Sequence, residues 1–309
     1  MPDPGFVAPT LATLVDGPVD GEEWIFEPKL DGIRLIVVRD GDRVRLWSRN
    51  EIDRGEHYPE IADALRAQPC DRFVVDGEVV AFDGSVTSFS RLQQGQGRRY
   101  LYLFDAIRLG DDDLRSLPLL ERKSRLCSTI DFADPIRFCT HRNGGDGAGP
   151  AFLAEACRMG WEGLIAKRAD GPYRSGRSRD WLKLKCVAQQ EFVVGGYTDP
   201  RGSRTGLGAL LVGYHDDGAL RFAGRVGTGF DESTLRKLAS MLADRERPTS
   251  PFDDAPAAAD VHWVTPDLVC QVGFTEWTTA GRLRHPRYLG LRDDKDADAV
   301  VRETPGATS

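Results

Sequence analysis

The chain of 309 residues has no apolar run approaching the roughly 18 to 20 residues of a membrane span, so no membrane-spanning helix is expected. Its first residues carry Asp3 and scattered prolines instead of the basic and apolar regions of a secretory signal. A cytoplasmic location with no membrane partner is the resulting expectation. Cys-x-x-Cys pairs are also missing. Cys70, Cys127, Cys139, Cys157, Cys186 and Cys270 stand alone, which gives no signature of a zinc or redox centre and predicts reduced, mostly buried thiols. Net positive charge is absent as well: at -7 the chain is not built to coat nucleic acid through bulk charge, so any such contact depends on how charge is distributed. No internal repeat is apparent.

What is present is enough apolar sequence for ordinary cores, 40% of residues against 29% charged, in a length that suits two domains better than one. After a proline-rich entry, Trp24 to Pro28 has the pattern of a strand, and Ile33 to Val38 with Arg43 to Ser48 reads as a hairpin about Asp40-Gly41-Asp42. Helical spacing covers Tyr58 to Ala67, Leu119 to Ile130 and Pro150 to Arg158. Further strands are expected at Phe73 to Phe82, Tyr100 to Ile107, Gly163 to Lys167 and Trp181 to Cys186, with a polar, glycine-rich basic loop over residues 169–179. Beyond about residue 188 the texture changes to short strands (Glu191 to Tyr197, Ala209 to Tyr214, Leu220 to Val226, Val269 to Trp277) with one helix, Glu232 to Arg245. That pattern fits a Greek-key barrel of the OB type. The expected domains are therefore 1–188 and 189–309, with Pro251 to Asp260 an exposed loop.

Five short segments carry chemistry. Lys29, between Pro28 and Asp31-Gly32, sets an amine and a carboxylate on one tight turn, although a lone Lys-x-Asp-Gly also describes an ordinary exposed turn. Asp76-Gly77-Glu78 interrupts an apolar strand, where carboxylates are costly unless they meet a cation or hydrogen-bond donors; a simple bulge is the plain alternative. Phe104 suits a base platform or sheet core. Glu162-Gly163-Leu164-Ile165-Ala166-Lys167-Arg168 puts an acid before an apolar strand and two cations after it. Trp181-Leu182-Lys183-Leu184-Lys185 alternates, so both lysines leave one face, as they would on a solvated strand. The joint occurrence of all five, in order and at strand edges, outweighs the separate plain readings.

In this order the segments resemble the covalent nucleotidyltransferases, and specifically the ATP-dependent DNA ligases, over nearly the whole chain. The resemblance implies an α+β adenylation domain on antiparallel sheets followed by a C-terminal OB-fold barrel. It makes Lys29 the residue that becomes linked to AMP, with Glu27, Leu30, Arg34, Arg49, Glu78, Phe104, Lys183 and Lys185 around the nucleotide. Asp31, Glu78 and Glu162 match acids associated with magnesium or manganese. Arg49-Asn50 resembles an Arg-Asn-Gly element in which Glu51 here replaces the glycine. Arg282, Arg284 and Arg287, with Arg292 and Lys295, resemble a last motif that orients pyrophosphate from the OB domain. The run Gly202-Ser203-Arg204-Thr205-Gly206-Leu207-Gly208 resembles the ligase module of bacterial non-homologous end-joining ligase D, which suggests Ku as a partner and nicked or broken DNA as substrate.

The implied chemistry is three in-line phosphoryl displacements: Lys29 on ATP, AMP to a 5′-phosphate, and a 3′-hydroxyl displacing AMP. A lysine of pKa about 10.4 must first lose its proton, and lowering that pKa by roughly three units costs about 4 kcal/mol. Arg34, Lys183 and Lys185 are the expected cationic neighbours. From Lys167 to Lys185 seven cations face two acids, so Lys167, Arg168, Arg174, Arg177 and Arg179 form an expected phosphate track. The early position of Lys29 suggests a catalytic core without the large N-terminal DNA-binding domain of some ligases. An RNA ligase and a GTP-dependent capping enzyme share much of this site, and an inactive OB-containing binding module is the reading from another class.

Overall fold

In the computed structural model, residues 5–15, 17–186, 188–200, 202, 205–256 and 260–303 are described. They form two compact units that part after Cys186. Ser203 and Arg204 of the glycine-rich run lie outside the described residues.

The first unit is built on two sheets. One runs, in spatial order, Thr10–Leu14, Gly176–Lys185, Gly163–Arg168, Trp24–Pro28 and Arg142–Asn143. The other runs Ile136–Phe138, Tyr100–Leu109, Arg72–Val80, Ile33–Asp40 and Arg43–Ser48. Pairing is antiparallel except for Thr10–Leu14 against Gly176–Lys185 and Ile136–Phe138 against Tyr100–Leu109. The chain crosses from the first sheet to the second between Pro28 and Ile33, so the turn holding Lys29 is the crossing itself. Each sheet has its own apolar core: Phe26, Leu164, Leu182 and Leu184 with Phe152 in one, Leu35, Val37, Phe73 and Leu103 with Ile61 in the other.

Two expectations need correction here. The proline-rich entry contains a strand, Thr10–Leu14, laid against Gly176–Lys185. The loop expected over 169–179 is loop only to residue 175: the strand begins at Gly176, and Tyr173 is buried with its hydroxyl donating to Asp76 Oδ2 at 2.7 Å. A polar, glycine-rich composition did not reveal that one aromatic ring anchors the segment.

The approach of three strands behind Lys29 depends on Gly163. Its φ of +149° is in glycine's range, and a Cβ there would overlap the Leu184 carbonyl oxygen, a backbone atom that cannot step aside. Lys29 N donates to Gly163 O at 2.9 Å, which ties the crossing to the same point. Gly163→Ala is expected to cost about 2–4 kcal/mol, read as a lower midpoint of denaturant unfolding; an unchanged midpoint would contradict the packing described.

The second unit is the OB-fold domain. Ala219–Val226, Leu210–Asp216, Ala188–Thr198, Val261–Phe274 and Glu246–Arg247 pair in that order, with Arg287–Leu291 also on Val261–Phe274. The helix Glu232–Ala243, capped by the Asp231 side chain on Thr234 N, buries Leu235, Leu238 and Leu242. The stretch from Pro251 is not simply an exposed loop. Phe252 is buried in this core against Phe222 and Trp263, and Gly195 and Gly213 leave it room, since a Cβ at either would strike its ring.

Candidate active site

Strand register gathers the site. Across the first sheet Glu27, Ile165 and Lys183 are direct partners in one row, and Ile25, Lys167 and Trp181 in the row two positions along, on the same face, while Lys185 pairs with Gly163. Alternation turns Leu182 and Leu184 into the core and leaves Lys183 and Lys185 half-buried on the other face. In the second sheet Arg34, Glu78 and Tyr102 are partners. The register slips between Asp76 and Gly77, so Asp76-Gly77-Glu78 is indeed a bulge, and it is also where the acids gather. Phe104, Trp181 and Ile165 meet between the sheets with Leu30 packed on them.

Lys29 is surrounded by carboxylates. It ion-pairs with Glu162, whose side chain is 7% exposed, and Asp31 and Glu78 act on it electrostatically. Burial favours the neutral amine, but Glu162, followed by Asp31 and Glu78, reverses this and holds the pKa of Lys29 above its ordinary value. The expected cationic surroundings are therefore corrected: in this state Lys29 is an ammonium kept protonated by acids. Asp31 is fixed from both sides, its Oδ2 accepting from Phe89 N at 3.0 Å and its backbone N donating to Thr87 Oγ1 at 3.0 Å.

Arg34 makes a bidentate pair with buried Asp76, at 2.5 and 2.6 Å, and lies 4.5 Å from the Phe104 ring centroid. Lys167 is the clearest departure from expectation. Assigned from sequence to the phosphate track, it is 1% exposed, 2.6 Å from Glu27 Oε2 and 4.1 and 3.9 Å from the Phe104 and Trp181 rings. It sits on a strand covered on both faces and cannot touch DNA. Glu27 is likewise interior, held by Lys167 and by Lys123 Nζ at 2.5 Å.

Lys123 and its neighbour Arg122 were missed by sequence reasoning. The helix Leu119–Thr129 buries Leu119, Arg122, Lys123 and Leu126. Arg122 grips Asp105 with two bonds of 2.7 and 2.8 Å and also donates to the Leu117 and Gly171 carbonyls. The i, i+3, i+4, i+7 spacing of these four positions was the available signal.

Elsewhere, Arg49 is half-buried in the turn after Arg43–Ser48, and Glu51 adopts φ +59°. The left-handed conformation that a glycine would supply is thus kept by a glutamate. Arg174, Arg177 and Arg179 are exposed, with Arg174 3.7 Å from Asp180 and Arg177 donating to Ala12 O at 3.1 Å; Arg168 pairs with Asp170 at 3.2 Å. In the second unit Arg282 pairs with Asp254, Arg284 with Glu276, and Lys295 with Glu191. Arg287 is exposed, but Arg292 forms a buried pair with Asp294 at 2.8 Å, which withdraws it from a phosphate role. The expectation of six thiols is corrected too: Cys157 and Cys186 form a disulfide.

Glu162 Oε2 is buried without a hydrogen-bond partner, an acceptor suited to a hard cation. Among the described residues no three histidine, cysteine or acidic side chains gather closely enough to hold an ion alone. This fits magnesium or manganese, which take one or two carboxylates and complete their shell with phosphate oxygens and water. No helix among the described residues is long and apolar enough to cross a membrane.

Comparison with known proteins agrees with this geometry. Residues 9–185 match the ATP dependent DNA ligase domain and residues 203–295 the ATP dependent DNA ligase C terminal region. The multifunctional non-homologous end joining protein LigD of Pseudomonas aeruginosa is 40% identical over 98% of this chain, and the chain spans 37% of that protein. DNA ligase C1 of Mycolicibacterium smegmatis is 32% identical, over 96% of this chain and 92% of its own length. A solved structure of mycobacterial DNA ligase D complexed with ATP and MES superposes with a TM-score of 0.70 at 38% identity, covering 96% of this chain and 98% of that one. The chain belongs to the ATP-dependent DNA ligase family.

Proposed function

We propose that this chain seals breaks in DNA through a lysyl-AMP intermediate on Lys29. Lys29 Nζ attacks the α-phosphorus of ATP and expels pyrophosphate. AMP then passes to a DNA 5′-phosphate, and a 3′-hydroxyl displaces it to form the phosphodiester. The observation that carries this reading is the placement of one half-buried lysine, on the crossing between two sheets, against Glu162, Asp31 and Glu78.

The residues divide the work. Asp31, Glu78 and Glu162 hold the Lys29 ammonium and are the carboxylates that would hold a divalent cation; engaged in that way they would no longer favour the ammonium, and its proton would pass to solvent water. Magnesium or manganese, when bound there, neutralises charge on the phosphate oxygens. Lys183 and Lys185 face the same phosphates and stabilise charge building on them. Phe104 stacks the base. Its ring is only 6% exposed, so the base displaces Arg34, the outer of the two cations over it, toward the ribose and phosphates. Glu27 and Lys167 form the charged floor beneath, and Arg49 holds nucleotide or the DNA end.

Arg174, Arg177 and Arg179 provide the DNA-facing positive charge, and Arg282, Arg284 and Arg287 orient pyrophosphate. The chain spans about two fifths of the LigD relatives it matches, and their names make double-strand end joining the setting we assign, with Ku as the recruiting partner. Incubation with ATP and magnesium, after pyrophosphate has stripped any bound AMP, should add one AMP to Lys29 by intact mass and peptide mapping, and the loaded protein should seal a nicked duplex. Protein that stays unmodified, or that loads GMP equally well from GTP, would overturn the proposal.

A further inference from the structure

Cys157 lies in the last turn of the helix Ala148–Arg158, and Cys186 directly follows the strand Gly176–Lys185. Their disulfide joins Cα atoms 5.2 Å apart across a sequence separation of 29. The segment it closes contains Glu162, Gly163, Lys183 and Lys185, so the acid facing Lys29 and both phosphate-facing lysines are inside one loop. The bond is also coupled to the site through the backbone, because Cys186 N donates to Glu162 O at 3.0 Å. The chain passes into the second unit directly after Cys186.

Disulfides that persist are usually shielded, and those that exchange are reachable. Cys157 is exposed and Cys186 half-buried, whereas the thiols of Cys139 and Cys270 are buried and unpaired with any sulfur. Cys157 also borders a cavity of about 420 Å³ whose walls include Val15, Leu153, Leu184 and Lys185. That space admits a small molecule beside the exposed sulfur.

We propose that Cys157–Cys186 is a reversible redox staple, opened by a small thiol of the glutathione class entering through that cavity, and that it sets how firmly the strand end carrying Lys183 and Lys185 is held. The thiolate attacks Cys157 Sγ, the sulfur–sulfur bond breaks, and Cys186 leaves as a thiolate that takes up a proton. A second thiol resolves the mixed disulfide, leaving two protein thiols and the disulfide of the small molecule. The same small disulfide, acting as oxidant, restores the bond by the reverse steps. With the staple open, Cys186 is held by its backbone hydrogen bond to Glu162 and its packing on the core of the first sheet, and the register of the lysine strand loosens at that end.

The test equilibrates the full chain with reduced or with oxidised glutathione, followed by denaturation, alkylation and mass analysis. Cys157 and Cys186 are expected as alkylated thiols after the reduced couple and as a disulfide-linked peptide pair after the oxidised one, a readout independent of glutathione capping the free Cys70 and Cys127. AMP loading should slow by about threefold or more on reduction, as the phosphate-facing lysines lose their fixed position, and Cys157→Ser should load at the reduced rate under both couples. Cys157 and Cys186 found in the same state under both couples, or wild-type loading indifferent to the couple, overturns the staple. The loading arm rests on the ligase reading. If no AMP is taken up under either couple, that reading fails, while the state of the Cys157–Cys186 pair still decides for or against the staple.

Discussion

Replacing Lys29 by arginine is expected to leave a folded protein that takes up no AMP. The anchor of the turn, Lys29 N on Gly163 O, is backbone and survives the change. The side chain is 20% exposed, so a longer cation can tilt outward and keep Glu162 paired, with a stability change within about 1 kcal/mol. A guanidinium, however, has a pKa above about 12 and offers no neutral nitrogen for attack on phosphorus. Loading from ATP and sealing of an ordinary nick should therefore fall by at least about 10³-fold. A nick whose 5′-phosphate already carries AMP is different, because the last displacement forms no bond to Lys29. The variant should seal that substrate to within about tenfold of wild type. Detectable AMP on the variant by intact mass, or loss of activity on the pre-adenylated nick as complete as on the plain one, would contradict this division of roles.

How far the sequence carried the argument depends on how local each signal was. The Lys29 turn, the acids of Asp76-Gly77-Glu78 and the alternation of Trp181 to Lys185 are short patterns, legible because a strand's period of two fixes which side chains share a face. Strand pairing sets them on neighbouring strands. Reading failed where the deciding partner was distant or the residue type misleading. Lys167 carries a charge that usually stays in water, and nothing near it shows that Glu27 waits on the adjacent strand. Thr10–Leu14 is a strand only because Gly176–Lys185 lies beside it in parallel, far along the chain. The Cys157–Cys186 bond is likewise invisible as spacing. Lys29 itself was located by sequence, but its electrostatics were not: the cations near it in the linear motifs are turned elsewhere, Arg34 to Asp76 and Lys167 to Glu27, and the acids are what face it.

The largest stability effect is expected at Arg122, a residue with no place in the chemistry. Its side chain and that of Asp105 are both 0% exposed, and it also satisfies the Leu117 and Gly171 carbonyls. Arg122→Met keeps much of the volume but strands a buried carboxylate, which should cost about 3–5 kcal/mol, seen as a lower denaturant midpoint with an unchanged slope. The pH dependence gives a second check. Burial already holds the Asp105 carboxyl above its ordinary pKa, with Arg122 pulling it back. Without Arg122 it should rise further and the group should stay protonated in the folded state. A carboxyl whose folded pKa exceeds its unfolded one adds stability below the unfolded value and loses it as pH rises through the folded value. The variant should therefore gain on wild type as the solution is acidified toward about pH 4, the unfolded carboxylate range. Arg122→Met with Asp105→Leu should recover much of the loss at neutral pH, because an apolar pair of similar volume replaces the stranded charge. If the double variant is no more stable than the single one, the deficit belongs to the Leu117 and Gly171 carbonyls instead of to Asp105, and the segment that carries Tyr173 would be what Arg122 chiefly secures.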